Sequence, residues 1–200
     1  MMNEDYTPYD LLDEYGLDDE YFGFHAAWVA GIDAREAARR MRADLDSAVE
    51  CGIHDVYEQL GGLGERDGLI LVGQAGAWVL IVQLRGWDCT RDQALSIASS
   101  GGGRAVAIGW NADGDEQLIY AVDGRILTYT DFSPRPRRGG ADRHALDEYM
   151  EGLSFVDDID AEETNIDTAL TVIERITGRG IDQDWLESTH TGYVIPQGAW

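Results

Sequence analysis

The stretch Asn111-Ala112-Asp113-Gly114-Asp115-Glu116 sets side-chain oxygens at alternate positions, as a calcium loop does. An EF-hand loop starting at Asn111 needs glycine at its sixth place and glutamate at its twelfth. The chain has Glu116 and Val122 there, so the segment is expected to turn the chain and to bind calcium weakly or not at all. Ser99-Ser100-Gly101-Gly102-Gly103-Arg104 resembles a phosphate cradle, but a cradle runs strand, loop, helix N-terminus. Here a helical pattern precedes the glycines and a strand pattern follows them. The helix end facing them is the negative one, and the segment is read as a cap and turn. Arg135, Arg137, Arg138 and Arg143 lie in a Pro- and Gly-containing loop over 133–144 and are read as offsetting nearby acid rather than clamping an anion.

No GxSxG, HExxH or P-loop motif is present. His25, His54, His144 and His190 lack ligand spacing, and His25 sits in an apolar run, as a satisfied core histidine does. Cys51 and Cys89 form no CxxC pair, so they are expected to be free thiols in a reducing compartment. No metal, no cofactor and no catalytic residue is assigned, although a site assembled in space remains open as a reading.

Charge is the strongest compositional signal. The chain holds 38 acidic and 15 basic residues, net −23, and every basic residue is arginine. Residues 1–20 carry −8, residues 141–190 carry −11 and residues 21–140 carry −4. Such a surface repels nucleic acid and anionic membranes and attracts basic proteins. The N-terminus lacks the apolar core of a signal peptide, and no apolar run approaches the roughly 20 residues of a membrane span. A cytoplasmic location is expected.

The elements that must position any site follow from periodicity. Residues 21–31 read as a strand or short helix, with strand favoured. Residues 69–73 and 77–84 are Val/Ile/Leu-rich strands. In residues 104–110, bulky Val106, Ile108 and Trp110 alternate with Ala105, Ala107 and Gly109, leaving one face bare for a helix. Residues 117–122 and 125–130 form a hairpin through Asp123-Gly124, which would set Val122 opposite Arg125, Tyr120 opposite Leu127 and Leu118 opposite Tyr129. Helices are expected at 33–45, from a cap at Asp33, at 90–100, from a cap at Thr90, and at 162–177. A short helix is expected from Asp142, and a helical turn anchored by Trp185. The expected fold is α+β: an antiparallel sheet of four to six strands with helices packed on one face. The expected division is an acidic segment 1–20, one domain 21–190, and an extended apolar tail 191–200.

Two blocks, residues 86–132 and 169–196, resemble an uncharacterised protein family of Streptomyces-type actinobacteria. The resemblance rests on Trp87, Gly102, Gly103, Arg104, Trp110, Asn111, Ala121, Asp123, Gly124, Arg125, Thr177, Gly178, Asp184, Trp185 and Leu186. It implies a shared fold and carries no activity.

Charge and missing motifs together point to a non-catalytic acidic binding protein, such as an immunity or accessory protein of a bacterial conflict system, whose partner is a basic protein. Asp13, Glu14, Asp18, Asp19 and Glu20 would steer that partner, and Tyr193 and Trp200 on an exposed tail would anchor it. The alternatives are a small-ligand or regulatory module with Trp28, Trp78, Trp87 and Trp110 around a pocket, and an enzyme whose site is assembled only in space.

Overall fold

The computed structural model describes residues 7–17, 23–111, 116–132 and 137–200. Among them, nine strands make one antiparallel sheet: β1 (Phe24–Ala30), β2 (Asp44–Cys51), β3 (Gly68–Ala75), β4 (Trp78–Arg85), β5 (Arg104–Trp110), β6 (Gln117–Val122), β7 (Arg125–Asp131), β8 (Arg137–Gly139) and β9 (His190–Ile195). Their order is β2-β9-β3-β4-β1-β5-β6-β7-β8. The helices are α1 (Pro8–Glu14), α2 (Ala34–Arg40), α3 (Val56–Gln59), α4 (Asp92–Ala98), α5 (Glu162–Thr177) and α6 (Gln183–Leu186).

This corrects the expected sheet of four to six strands with helices on one face. The central strands are buried on both sides, because alternate residues feed two separate cores. Trp28, Leu71, Leu80, Val82, Val106 and Ile108 pack with Leu12 of α1, Val56 of α3, Ile173 of α5 and Trp185 of α6. Ala27, Val29, Val72, Ile81, Ala105 and Ala107 pack with Ala37, Ala38 and Met41 around α2 and with Ala94, Leu95 and Ala98 of α4. The bare face expected on residues 104–110 does receive a helix, α4, and does so through alanine on both sides.

Three strands differ from expectation. β2 is an edge strand with exposed Asp44, Asp46 and Glu50, and its pairing jumps from Asp44↔Val194 to Val49↔Gly192. A charged, bulged edge resists further strand pairing. The alternation of Leu45, Ser47, Val49 and Cys51 with exposed Asp44, Asp46, Ala48 and Glu50 marks the strand, and the helix expected over 33–45 overlaps its start. β8 lies in the segment read as a basic loop. β9 falls in the segment expected as an extended tail, yet it is sandwiched between β2 and β3, with Ile70↔Tyr193 and Leu69↔Val194 in register. At the other terminus, Leu11 and Leu12 of α1 are buried and the Tyr9 amide donates to Asp167 on α5 at 2.9 Å. Residues expected at the chain's margins therefore lie in the core.

Local details differ from expectation as well. The helix expected over 33–45 ends at Arg40, because Arg42 takes φ 59°, and Leu45 belongs to β2. Asp33 does cap it, accepting from the Glu36 amide at 2.8 Å, while the Glu36 carboxylate turns to Arg39 and Arg40 instead of closing the box. Thr90 caps nothing. It ends a 3-10 turn, Asp88–Thr90, its hydroxyl donates to Trp87 O, and α4 begins at Asp92. The segment expected as a short helix from Asp142 is a series of turns over 143–152. The Asp123-Gly124 hairpin forms, with φ 48° and 79°, but a bulge after Tyr120 shifts the register to Tyr120↔Thr128 and Leu118↔Thr130.

Candidate functional site

One end of the sheet gathers the start of β3, the end of β4, the start of β1, the end of β5 and the start of β6. The connector Gly86-Trp87 leaves β4 there. Its shape is fixed by Gln83, a side chain only 5% exposed. Gln83 Oε1 accepts the Cys89 amide at 2.7 Å, and Nε2 donates to Arg85 O at 3.0 Å and Asp88 Oδ2 at 3.1 Å. Both donors and one of the two acceptor sites of a buried amide are thus spent on clamping the turn. Gly86 adopts φ 90°, and a Cβ there would lie 2.8 Å from Gln83 Nε2, so the clamp requires glycine.

The clamp holds Trp87 outward, 57% exposed. The other tryptophans are differently placed. Trp28 is fully buried and donates its indole N–H to Gly180 O at 3.0 Å, and Trp78, Trp110 and Trp185 are core residues. Among the described residues, Trp28, Trp78 and Trp110 are buried in the core and do not gather with Trp87 around a pocket, and Trp87 lines the pockets at this connector.

Three pockets adjoin at this connector. One, of ≈ 320 Å³, is lined by Tyr15, His25, His54, Tyr57, Leu84 and Gly86. A second, of ≈ 380 Å³, shares Gly86 and adds Trp87, Arg91, Glu65, Asp67 and Arg85. A third, of ≈ 440 Å³, shares Trp87 and Arg91 with the second and His25 with the first, and adds Thr90, Asn111 and Gln117. Tyr57, 52% exposed, stands on the rim of the first, its hydroxyl donating to Leu84 O at 2.6 Å. His25 is 7% exposed and covers Gly109, where a Cβ would meet Nδ1 at 2.5 Å. It also lies 3.5 Å from Thr90 Oγ1, so the sequence reading of a core histidine is incomplete: His25 walls two pockets.

The ions here are largely engaged. Arg91 Nε pairs with Asp88 Oδ1 at 2.9 Å, Arg85 donates to Glu65 O, and the Asp67 carboxylate accepts the Gly64 and Gln197 amides at 2.7 and 3.0 Å. Cys89 is fully buried beneath the connector, and burial pushes its thiol up, away from the thiolate a nucleophile requires. What the arrangement offers is an exposed aromatic ring on a clamped turn, in a groove carrying side chains of both charges.

The residues singled out from sequence are not brought together. Asp13 lies on α1, Glu14 ends it, and both face solvent; Asp18, Asp19 and Glu20 fall outside the described residues. Tyr193 is 4% exposed within β9 and cannot anchor a partner. Trp200 is half-buried, its indole donating to Met41 O at 3.2 Å beneath the Arg42 guanidinium. Tyr193 is thus consumed internally, and Trp200 is held against the chain with part of its surface still exposed.

The calcium-loop residues 112–115 also fall outside the described residues, and among those described no group of three or more His, Cys, Asp or Glu side chains could hold a metal ion. The glycine run is a turn whose Gly102 amide is taken by Asp123 Oδ1 at 2.7 Å. Of the basic island, Arg135 is outside the described residues, and Arg138 pairs with Asp147 at 2.6 Å. No helix among the described residues is long and apolar enough to cross a membrane.

Sequence reasoning missed Gln83, Gly86 and Tyr57. Only Gly86-Trp87, a glycine and a large aromatic directly after a buried apolar strand, left a signal.

No curated protein and no solved structure matches the chain. A family model, described as a family of unknown function (DUF6461), matches residues 4–197. That span takes in α1 and β9 as well as the central strands, and the chain belongs to the DUF6461 family.

Proposed function

We propose that this chain is a non-catalytic acidic binding protein that recognises a basic protein, with the groove around Trp87 as its contact centre. The observation that supports this is Trp87 itself. A monomer gains roughly 25 cal/mol for each Å² of apolar surface it buries, yet this indole is clamped outward at 57% exposure. Rigid exposed aromatic residues in a pocketed surface are the usual energetic centres of protein contacts. Tyr57 offers a second such ring, its hydroxyl already tied to Leu84 O. The net charge of −23 would raise the encounter rate with a cationic partner and contribute little lasting affinity. The Streptomyces-type setting implied by the two resembling blocks fits an immunity or accessory protein that neutralises a basic effector.

The test is affinity capture from native lysate, followed by affinity measurement with the purified partner. Trp87→Ala is expected to weaken binding at least about 30-fold, the effect of a central anchor. Trp200→Ala, at the ring tied to Met41 O, should change it less than about threefold. Equal losses from both variants, or none from Trp87→Ala, would overturn the proposal.

A further inference from the structure

The arginines of the basic island over 133–144 are only partly spent on offsetting acid. Arg138 pairs with Asp147 at 2.6 Å, and Asp147 also accepts from His144 Nδ1 at 2.8 Å. Arg143 has no carboxylate partner among the described residues; its Nε donates to His144 Nε2 at 3.2 Å. That bond makes Nε2 an acceptor, so the imidazole is neutral with its proton on Nδ1. The chain Arg138–Asp147–His144–Arg143 thus joins two guanidinium groups to one carboxylate and keeps one positive charge. A guanidinium has several N–H donors, and these contacts use only one on each arginine.

This network walls a pocket of ≈ 470 Å³, within the roughly 300–1,000 Å³ of small-molecule sites. Arg138, Arg143 and His144 form its polar side, and Ser154 adds a hydroxyl. The rest of the lining is apolar: Met150, Leu153 and Phe155. That apolar side is held firmly. The Phe155 ring stacks on buried Phe132 with centroids 5.5 Å apart. The buried Asn165 amide fixes the next residue, accepting the Val156 N–H at 2.7 Å and donating to Val156 O and Phe132 O at 3.0 Å. From α5, Arg175 donates to Tyr149 O and Glu151 O at 2.9 and 2.7 Å. Among the described residues no carboxylate lines the pocket, in a chain that has 38 acidic residues.

We infer that this pocket binds an organic carboxylate that carries an apolar group. The carboxylate would take the unspent N–H groups of Arg143 and Arg138, and the apolar group would lie against Met150, Leu153 and Phe155. The lining itself selects this class. Its charges are of one sign, which favours an anion, and a guanidinium fork matches a carboxylate in shape. Its apolar half favours an acid with a hydrophobic part over a bare inorganic anion. The net charge of −23 repels anions at a distance, but that field fades beyond about 8–10 Å at physiological salt, so recognition rests on contact. The site goes beyond the reading of the Trp87 groove and shares no lining residue with it.

The experiment titrates the full chain with phenylpropanoate at physiological salt. The readout is the backbone amide resonances of Leu153 and Phe155, which every variant below retains. The acid should shift them saturably and leave the Trp87 amide in place. Phenylpropanamide, its neutral counterpart, and acetate, which lacks the apolar part, should each bind at least about fivefold more weakly. Arg143→Gln should weaken phenylpropanoate about fivefold or more. Arg143 is exposed and tied only to the neighbouring His144, so the fold is kept, and the same spectrum reports it. Arg137→Gln, on exposed β8 outside the pocket, should change binding less than about twofold, since a screened, distant charge contributes little. Acetyl-Gly-Gly-Phe with a free C-terminus carries the same chemistry. Binding of this peptide about fivefold or more tighter than phenylpropanoate would identify a chain terminus as the source, and otherwise a free acid; either supports the inference.

If the amide binds as tightly as the acid, or acetate as tightly as phenylpropanoate, the inference is overturned. Equal losses from Arg137→Gln and Arg143→Gln would mean diffuse attraction and overturn it as well. So would the absence of any shift with the acid, and none of these results bears on the Trp87 groove.

Discussion

Replacing Glu116 with glutamine should stabilise the protein at high pH and leave it nearly unchanged at low pH. Glu116 is 6% exposed, and its Oε2 has no hydrogen-bond partner. Burial, reinforced by the Glu162 and Asp131 carboxylates, pushes its carboxyl from 4.5 up to about 7. The acid is therefore favoured in the folded state, and the native protein binds more protons than the unfolded chain between about pH 4.5 and 7. Stability from this group is full below that window and is lost as pH rises through it. At 1.36 kcal/mol per pH unit, a shift of about 2.5 units amounts to about 3 kcal/mol lost above pH 7. Glutamine carries no charge at any pH and escapes that loss.

The difference between variant and native chain should thus grow by about 3 kcal/mol from pH 4 to pH 8. For a chain of this size that is a relative rise in Tm of about 6–12 °C. Thermal denaturation followed by circular dichroism across this range measures it. The difference between the two proteins is the informative quantity, since other groups titrate nearby. Buried His190, for example, is pushed below its usual value and opposes the trend, because its contribution grows as pH rises towards 6.5. Constant effects of the new amide cancel in the same comparison. A difference that stays flat from pH 4 to 8 would refute the reasoning.

Other expectations follow from single contacts. Gly73→Ala would push a Cβ to 2.0 Å from His190 Nδ1 inside the sheet, so it should cost more than 3 kcal/mol, on the order of a severe overpacking, in urea denaturation. Trp28→Phe removes the donor to Gly180 O and leaves a void, and should cost about 2–4 kcal/mol by the same assay. Asp182→Ala removes both the cap on the Trp185 amide at 2.9 Å and the partner of Arg179, and should cost about 1–2 kcal/mol at pH 7. Because the Asp182 carboxyl is held below its usual 3.8, that contribution should vanish as pH falls through the native value, and acid titration of both proteins would show it.

The sequence carried the central strands and helices well where periodicity was strong. β5, β6 and the Asp123-Gly124 hairpin were legible because alternation and a left-handed turn coincide there. Helix α5 was legible from its apolar stripe and its Gly178 cap, which adopts φ 80°. What failed was anything decided by distant pairing. β9 is short and contains Gly192 and Thr191, and it becomes a strand because β2 and β3 flank it. The two-sided burial of the sheet was hidden because a run such as Leu69–Val72 gives no sign of which helices cover each face. The site was mostly invisible for a similar reason. Gln83 sits in an apolar strand and reads as an ordinary polar break, and its role emerges only when the connector folds back onto it. Tyr193 and Trp200 looked like exposed anchors because a segment rich in apolar residues near the end of a chain resembles a tail until its partner strands are known.

The central claim is that the contact is made around Trp87. Hydrogen-exchange protection of the native chain, free and bound to its captured partner, tests it most directly. Bound protection should concentrate on residues 83–91 and on Tyr57, the segments that form the groove. Protection confined to the β2 edge or to residues 141–190, with 83–91 unchanged, would contradict it.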